Sequence, residues 1–109
     1  MWVYLNNSFL SIIANKEDKD LLHVRGRRSG DIEAVFPNAE PTCTPHRDYL
    51  YRADIPREDV ARAMHDEAMS IDYTNFKGSV GDFDRHDEYL DVWSVMCRKQ
   101  WERAEGGEE

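Results

Sequence analysis

The sequence has few of the features that would link it to a membrane or to an oxidising compartment. No apolar run reaches the roughly 20 residues that a bilayer-spanning helix needs, and residues 1–4 lack the basic start and long apolar core of a signal peptide. The two cysteines, Cys43 and Cys97, are far apart in sequence and form no C-x-x-C pair, which argues against a disulfide framework or a zinc site. We therefore expect a soluble protein of the reducing cytosol.

Basic residues are also scarce. Lys and Arg number 14 against 22 Asp and Glu, which gives a net charge of −8. Proteins that grip nucleic acid over a broad face need a basic field to displace counterions, and anionic membranes attract basic segments. The composition therefore argues against direct binding to DNA, RNA or membranes, and it favours encounter with basic protein surfaces.

The apolar content is sufficient for one core. In a chain of 109 residues, 40% are hydrophobic and 11% aromatic, which suits one domain but not two independent ones. We expect a single domain over residues 1–104 and a frayed acidic tail over residues 105–109.

Short β-prone runs occupy the first half of the chain. Residues 2–5 and 9–13 predict a hairpin around Asn6 and Asn7, residues 21–25 a third strand, residues 42–44 an edge strand and residues 49–53 a further strand. The order of these strands in a sheet does not follow from the pattern.

Three helices are predicted between and after these strands. The Ser29 hydroxyl and Asp31 indicate the start of a short helix that ends at Pro37. A second helix runs from about residue 56 to 71, and a third begins near Asp82 or Asp84. The apolar stripe of the second helix consists of Val60, Met64, Ala68 and Ile71. The fold class is α+β: a small antiparallel sheet of three to five strands, with one short and two longer helices packed mainly on one face.

Two acidic clusters stand out on the two longer helices. The first consists of Asp84, Asp87, Glu88 and Asp91, and the second consists of Glu58, Asp59, Asp66 and Glu67. Carboxylates near a helix start stabilise it through the macrodipole, by about 0.3–1 kcal/mol each, which offers one explanation of the first cluster. Alternatively, spacings of three and four residues make an exposed acidic stripe that imitates the phosphates of a nucleic-acid strand. We predict these eight residues as the partner-binding site.

The remaining polar and aromatic patterns allow two interpretations each. The triplet His-Asp-Glu occurs at residues 65–67 and 86–88, but neighbouring helix residues point in different directions, so we expect no metal ligands, no catalytic residues and no cofactor. The basic run at residues 25–30 is better explained by pairing with nearby carboxylates than by a phosphate site. Trp93 and Trp101, two turns apart, are interpreted as core, with an aromatic binding face as the alternative.

Several segments together resemble a family of short bacterial and prophage-borne proteins that carries no assigned activity. The resemblance runs to about Met96 and rests on residues 2–13, 22–25, 30–37, 51–53, 71–77, 85–89 and 92–96. It implies a small standalone protein in the cytosol of a bacterium or of a phage-infected host. By size and charge alone, such a protein is similar to anti-CRISPR inhibitors.

These features predict a non-enzymatic acidic binding protein, an inhibitor and DNA mimic that occupies the basic nucleic-acid-binding groove of a bacterial protein such as a CRISPR effector subunit. We expect a monomer or a weak dimer. Two alternatives stay open. One is a small metal-dependent enzyme that uses His65 and His86, and the other is a host accessory domain that binds through Trp93 and Trp101.

Overall fold

The protein has an α+β fold, as the sequence predicts. The computed structural model describes residues 1–106, which form five strands and four helices. The strands are β1 (Trp2–Tyr4), β2 (Phe9–Ala14), β3 (Leu21–Gly26), β4 (Thr42–Cys43) and β5 (Tyr51–Pro56). The helices are α1 (Asp31–Val35), α2 (Arg57–Met69), α3 (Phe76–Ser79) and α4 (Phe83–Glu105).

The five strands form one antiparallel sheet in the order β1-β2-β3-β5-β4. The β1–β2 connection closes with a hydrogen bond from the Leu5 N–H to the Ser8 carbonyl at 2.8 Å, so the predicted hairpin is confirmed. The edge strand β4 has only two residues and pairs with the first half of β5. The rest of β5 therefore borders an open edge of the sheet.

One face of the sheet carries the core. Alternate residues of β2, β3 and β5 point towards it, as the register that sets Ile12 opposite Val24 requires. The helices α1 and α2 cover this face and contribute Ile32 and Val60, both almost fully buried. The opposite face presents polar side chains instead, among them Ser11, His23, Arg25, Arg52 and Asp54, which the same alternation orients away from the core.

The start of α1 differs from the prediction. Gly30, with a φ of 94°, occupies the N-cap position, and within the described residues no side chain caps the helix there, so the expected role of the Ser29 hydroxyl is wrong. Only glycine adopts this left-handed conformation at little cost. The adjacent Asp31 is buried, and its Oδ2 accepts a hydrogen bond from the Phe9 N–H at 3.0 Å.

The predicted apolar stripe of α2 is correct only in its first half. Val60 and Met64 pack against the core, whereas Ala68 and Ile71 are exposed. Each step of four residues along an α-helix turns the side-chain direction about 40° beyond a full turn. Two such steps separate Ala68 from Val60, so Ala68 points away from the core. Ile71 lies beyond Met69, where the helix ends.

The chain divides into two compact units. The first, Met1–Asp72, contains the sheet, α1 and α2, and the second begins at Tyr73 and contains α3 and α4. The single domain expected over residues 1–104 spans both units and stays a prediction. None of the helices in residues 1–106 combines the length and apolar composition that a bilayer crossing requires.

In the second unit, α3 packs on α4 through the stacked rings of Phe76 and Tyr89, whose centroids are 5.7 Å apart. Asp82 caps α4 by accepting from the Arg85 N–H at 2.9 Å, so the helix begins where the sequence indicated. Of the predicted frayed tail, Glu105 is the last residue of α4 and Gly106 is its C-cap. Residues 107–109 lie outside the described part of the chain.

Candidate functional site

The four acidic residues predicted on α4 are all exposed. Their spacing of three, one and three residues sets Asp84, Asp87, Glu88 and Asp91 along one side of the helix. Only Asp84 lies in the first turn, and the effect of the macrodipole declines within that turn. Stabilisation by the helix dipole therefore does not account for the other three carboxylates.

Three of the four acidic residues predicted on α2 line a groove of the first unit, which has a volume of about 840 Å³. The groove lies between β5, the segment that joins α1 to β4, and α2. Asp59, Asp66 and Glu67 line it, whereas Glu58 is exposed outside it. Its volume falls within the range of about 300–1,000 Å³ that is typical of ligand sites.

The groove is negatively charged overall. Two guanidinium groups line it, those of Arg52 and Arg62, and Arg62 is paired with Asp59 at 3.2 Å. Five carboxylates oppose these two cations, which leaves a net charge of −3 when His23 is neutral. The five belong to Glu40, Asp54, Asp59, Asp66 and Glu67.

One wall of the groove is held by a chain of polar side chains on the sheet face opposite the core. Asp54 Oδ1 accepts from Asn15 Nδ2 at 3.0 Å and lies 2.8 Å from His23 Nδ1. His23 Nε2 lies 3.2 Å from Arg52 Nη1, and Arg52 Nη2 donates to Asp48 Oδ1 at 3.0 Å. We call these five residues the polar chain. It links β3 and β5 and fixes three groove-lining side chains.

The contacts of the polar chain indicate which tautomer a neutral His23 ring adopts. A guanidinium group donates hydrogen bonds but does not accept them, so the Nε2 atom that faces Arg52 must be the acceptor. The ring proton is then on Nδ1, which donates to Asp54. Both ring nitrogens of His23 are therefore engaged with side chains of β5.

Sequence reasoning missed the groove residues His23, Arg52 and Asp54. The alternation of apolar and polar residues along β3 predicts the direction of one of these side chains. Leu22 and Val24 point to the core, so His23 between them must point away from it. The neighbours of His23 on β5 follow only from the pairing of β3 with β5, which joins residues that are 31 positions apart.

Two arginines of the basic run at residues 25–30, Arg25 and Arg27, have partners in the loop before β5 and on β2. The guanidinium groups of Arg25 and Arg27 lie over the ring of Tyr49, 4.4 and 4.1 Å from its centroid. Arg25 also donates to Ser11 Oγ at 2.6 Å, and Arg27 donates to the Asp48 carbonyl at 2.7 Å. These two arginines thus attach β3 and the chain after it to the loop before β5.

The two histidine triplets lie on α2 and on α4. His65 contacts its neighbour Asp66 at 3.3 Å, and both side chains are exposed. Among residues 1–106, no group of three or more His, Cys, Asp or Glu side chains is arranged to hold a metal ion. The metal-dependent alternative therefore has no set of ligands in the described part of the chain.

The two tryptophans of α4 are not in the core. Trp93 is 51% exposed and Trp101 is 59% exposed, so their interpretation as core is wrong. Helical periodicity identifies an apolar face, but it does not reveal whether another element covers that face.

Comparison with known proteins does not assign the chain to a family: no family model matches it, and no curated protein or solved structure is significantly similar to it.

Proposed function

We propose that this protein is a non-enzymatic binding protein whose acidic surfaces occupy a basic site on a partner protein, of the kind through which a bacterial protein binds nucleic acid. The main support is the exposed row of carboxylates on α4, three of which lie beyond the reach of the helix dipole. Such a row attracts a basic surface and repels nucleic acid itself.

The spacing of these carboxylates supports mimicry of a phosphate backbone. Asp84 and Asp91 are seven residues apart, which corresponds to about 10.5 Å along the helix axis. Four charges over this length are on average about 3.5 Å apart. Phosphates advance by about 3.4 Å along each strand of DNA, so the linear charge density of this face is close to that of one strand.

The groove of the first unit supports the same class of partner. Its net charge of −3 has the same sign as the α4 row, and the polar chain fixes hydrogen-bonding groups on one wall. A lysine or arginine side chain that entered the groove would find carboxylates on α2 and on β5. An inhibitor of the anti-CRISPR type fits this description and is one specific form of the proposal.

The first experiment identifies a partner. Immobilised protein is used to capture proteins from a bacterial lysate, with and without nuclease treatment. We expect capture of a nucleic-acid-binding protein to increase after nuclease treatment, because the removal of nucleic acid frees the basic groove.

The second experiment measures the affinity for the captured protein, purified, by fluorescence anisotropy at increasing NaCl. The test variant combines Asp84→Asn, Asp87→Asn, Glu88→Gln and Asp91→Asn. The control variant makes the same charge change at other exposed positions: Glu17→Gln, Asp20→Asn, Glu33→Gln and Asp72→Asn. Exposed ion pairs contribute about 0.2–1 kcal/mol each, so we expect the test variant to bind at least about five times more weakly and with a shallower salt dependence. Binding that persists in high salt and in the test variant would refute the proposal.

The host accessory domain is the second candidate, and the exposure of Trp93 and Trp101 favours it. Exposed indole rings are common anchors at protein interfaces. In the same capture experiment, loss of the partner in Trp101→Ala, with full retention in the acidic test variant, would favour this candidate over the acidic mimic.

A further inference from the structure

The groove of the first unit contains an open strand edge. The strand β4 pairs with β5 only at Tyr51 and Arg52. In the described part of the chain, residues 53–56 of β5 therefore have no neighbouring strand on that side. All four of these residues line the groove. An open edge of this kind offers backbone hydrogen-bonding groups to another extended chain.

The backbone of Asp54 points towards this open edge. In an antiparallel pair, alternate residues direct their N–H and carbonyl groups to the same neighbouring strand. The Thr44 N–H donates to the Leu50 carbonyl at 2.6 Å, so even-numbered residues of this segment face β4. The Arg57 N–H donates to the carbonyl of Asp20, which precedes β3, at 2.7 Å, so odd-numbered residues face β3. The N–H and carbonyl of Asp54 therefore face the groove, with no strand partner in the described part of the chain.

The position opposite Asp54 is not filled by the preceding segment of β4. If β4 continued in the same register, Glu40 would lie there. Two carboxylates directly opposite each other on adjacent strands destabilise the pairing. The chain instead turns away, with a hydrogen bond from the Ala39 N–H to the Phe36 carbonyl at 2.9 Å. A basic residue of another chain would suit the position that Glu40 leaves empty.

The charges around the open edge favour a basic segment. The Asp54 side chain is 47% exposed, and it would share its face of the sheet with the side chain of an opposing residue. The neighbours of that residue would point to the other face, towards α2. There Arg62 is already paired with Asp59 at 3.2 Å, whereas Asp66 and Glu67 add two further carboxylates to the groove. Adjacent basic residues would therefore meet carboxylates on both faces.

We infer that the open edge of β5 binds an extended segment of the partner protein that carries two adjacent basic residues. The segment adds a strand to the sheet and runs antiparallel to β5, as β4 does. One basic residue lies opposite Asp54 and exchanges two backbone hydrogen bonds with it. The other extends towards the carboxylates of α2. The inference rests on the proposed function, since it takes the partner to be a basic protein, and it identifies the kind of segment that the groove recognises.

The charge requirement is tested with the fluorescein-labelled peptide GTVKRTVG, whose binding to the whole protein is followed by anisotropy. The uncharged peptide GTVQQTVG should bind at least about tenfold more weakly. Asp66→Asn combined with Glu67→Gln should weaken binding of the basic peptide at least about twofold. The control variant, Glu17→Gln combined with Glu33→Gln, changes exposed residues outside the groove and should bind normally. An equal effect of the two variants, or no binding at about 1 mM peptide, would overturn the inference.

The strand pairing is tested with two further peptides, each methylated at the backbone nitrogen of one of the two basic residues. Both keep their charges, but only one of two adjacent N–H groups in an antiparallel strand points to the neighbouring strand. We expect one methylated peptide to bind at least about fivefold more weakly, because it loses a backbone hydrogen bond. The other should bind as the parent peptide does. Equal affinities of the two would show that charge alone holds the peptide, against the inference.

Hydrogen exchange followed by NMR locates the contact. With saturating GTVKRTVG, the Asp54 amide should exchange at least about tenfold more slowly, because it gains an acceptor. The Trp2 amide is the matched control. The bond from the Ile12 N–H to the Met1 carbonyl, at 2.8 Å, leaves the Trp2 N–H facing the other edge of the sheet, so its exchange should not change. Unchanged exchange at Asp54, or equal slowing at both amides, would contradict the inference.

These peptide tests and the test of the proposed function fail separately, because the peptide tests do not involve the carboxylates of α4. If the captured partner depends on the α4 row but the peptide fails these tests, only the strand addition is refuted. If the peptide protects Asp54 while the captured partner ignores both salt and the α4 substitutions, the acidic mimic is refuted.

Discussion

Asp31 connects the start of α1 to the β1–β2 hairpin, and its replacement by alanine tests how strongly that connection stabilises the first unit. The carboxylate is only 4% exposed, and it accepts the Phe9 N–H at 3.0 Å. Asp31→Ala removes the acceptor and leaves this backbone donor without its bond to Asp31. The variant also removes a negative charge from the first turn of α1.

The expected loss combines two contributions. A hydrogen bond to a charged group contributes about 1.5–3 kcal/mol, and a carboxylate in the first turn contributes about 0.3–1 kcal/mol. The free energy of unfolding should therefore fall by about 2–4 kcal/mol. For a chain of this size, each kcal/mol corresponds to about 4 °C, so the Tm should fall by about 8–16 °C. Asp31→Asn keeps an acceptor oxygen but not the charge, and we expect about half of this loss.

Urea titrations followed by far-UV circular dichroism measure the stability of each variant, and hydrogen exchange at the Phe9 amide reports on the bond itself. Glu33→Ala is the matched control, because Glu33 is also in the first turn of α1 but is exposed. If Asp31→Ala were no more destabilising than Glu33→Ala, the hydrogen bond to Phe9 would not stabilise the fold as we argue.

Three further substitutions test the first unit. Gly30→Ala should lower the free energy of unfolding by about 1–2 kcal/mol, because alanine is strained at a φ of 94°. The added Cβ would meet no atom within 4 Å, so the loss would reflect the backbone conformation and not a steric clash. An unchanged urea midpoint would contradict this conformational cost. Ile32→Ala should lower the free energy of unfolding by about 2–5 kcal/mol, since Ile32 is fully buried in the core, and calorimetry would detect the lower Tm. Tyr49→Leu keeps an apolar side chain but removes the ring beneath Arg25 and Arg27, and we expect a loss of about 1–2 kcal/mol in urea titrations. A variant as stable as the wild type would show that these stacked contacts contribute little.

The exposed acidic residues were accessible to sequence reasoning because they depend only on local periodicity. A helical repeat places Asp84, Asp87, Glu88 and Asp91 on one side of α4 wherever the helix packs. The groove was not accessible in the same way. Its wall requires His23 of β3 beside Asp54 and Arg52 of β5, and that neighbourhood exists only once the strand order and register are set.

The sequence by itself determined the α+β class, the β1–β2 hairpin, the start of α4 near Asp82 or Asp84 and the excess of negative charge. Each of these follows from turn residues, caps, periodicity or composition, all of which act over a few neighbouring residues or over the whole chain. Only the tertiary structure decided which faces are covered. It gathered Asp59, Asp66 and Glu67 around a groove, and it left Trp93 and Trp101 exposed. Burial depends on contacts between residues that are distant in sequence, and helical or strand periodicity does not encode those contacts.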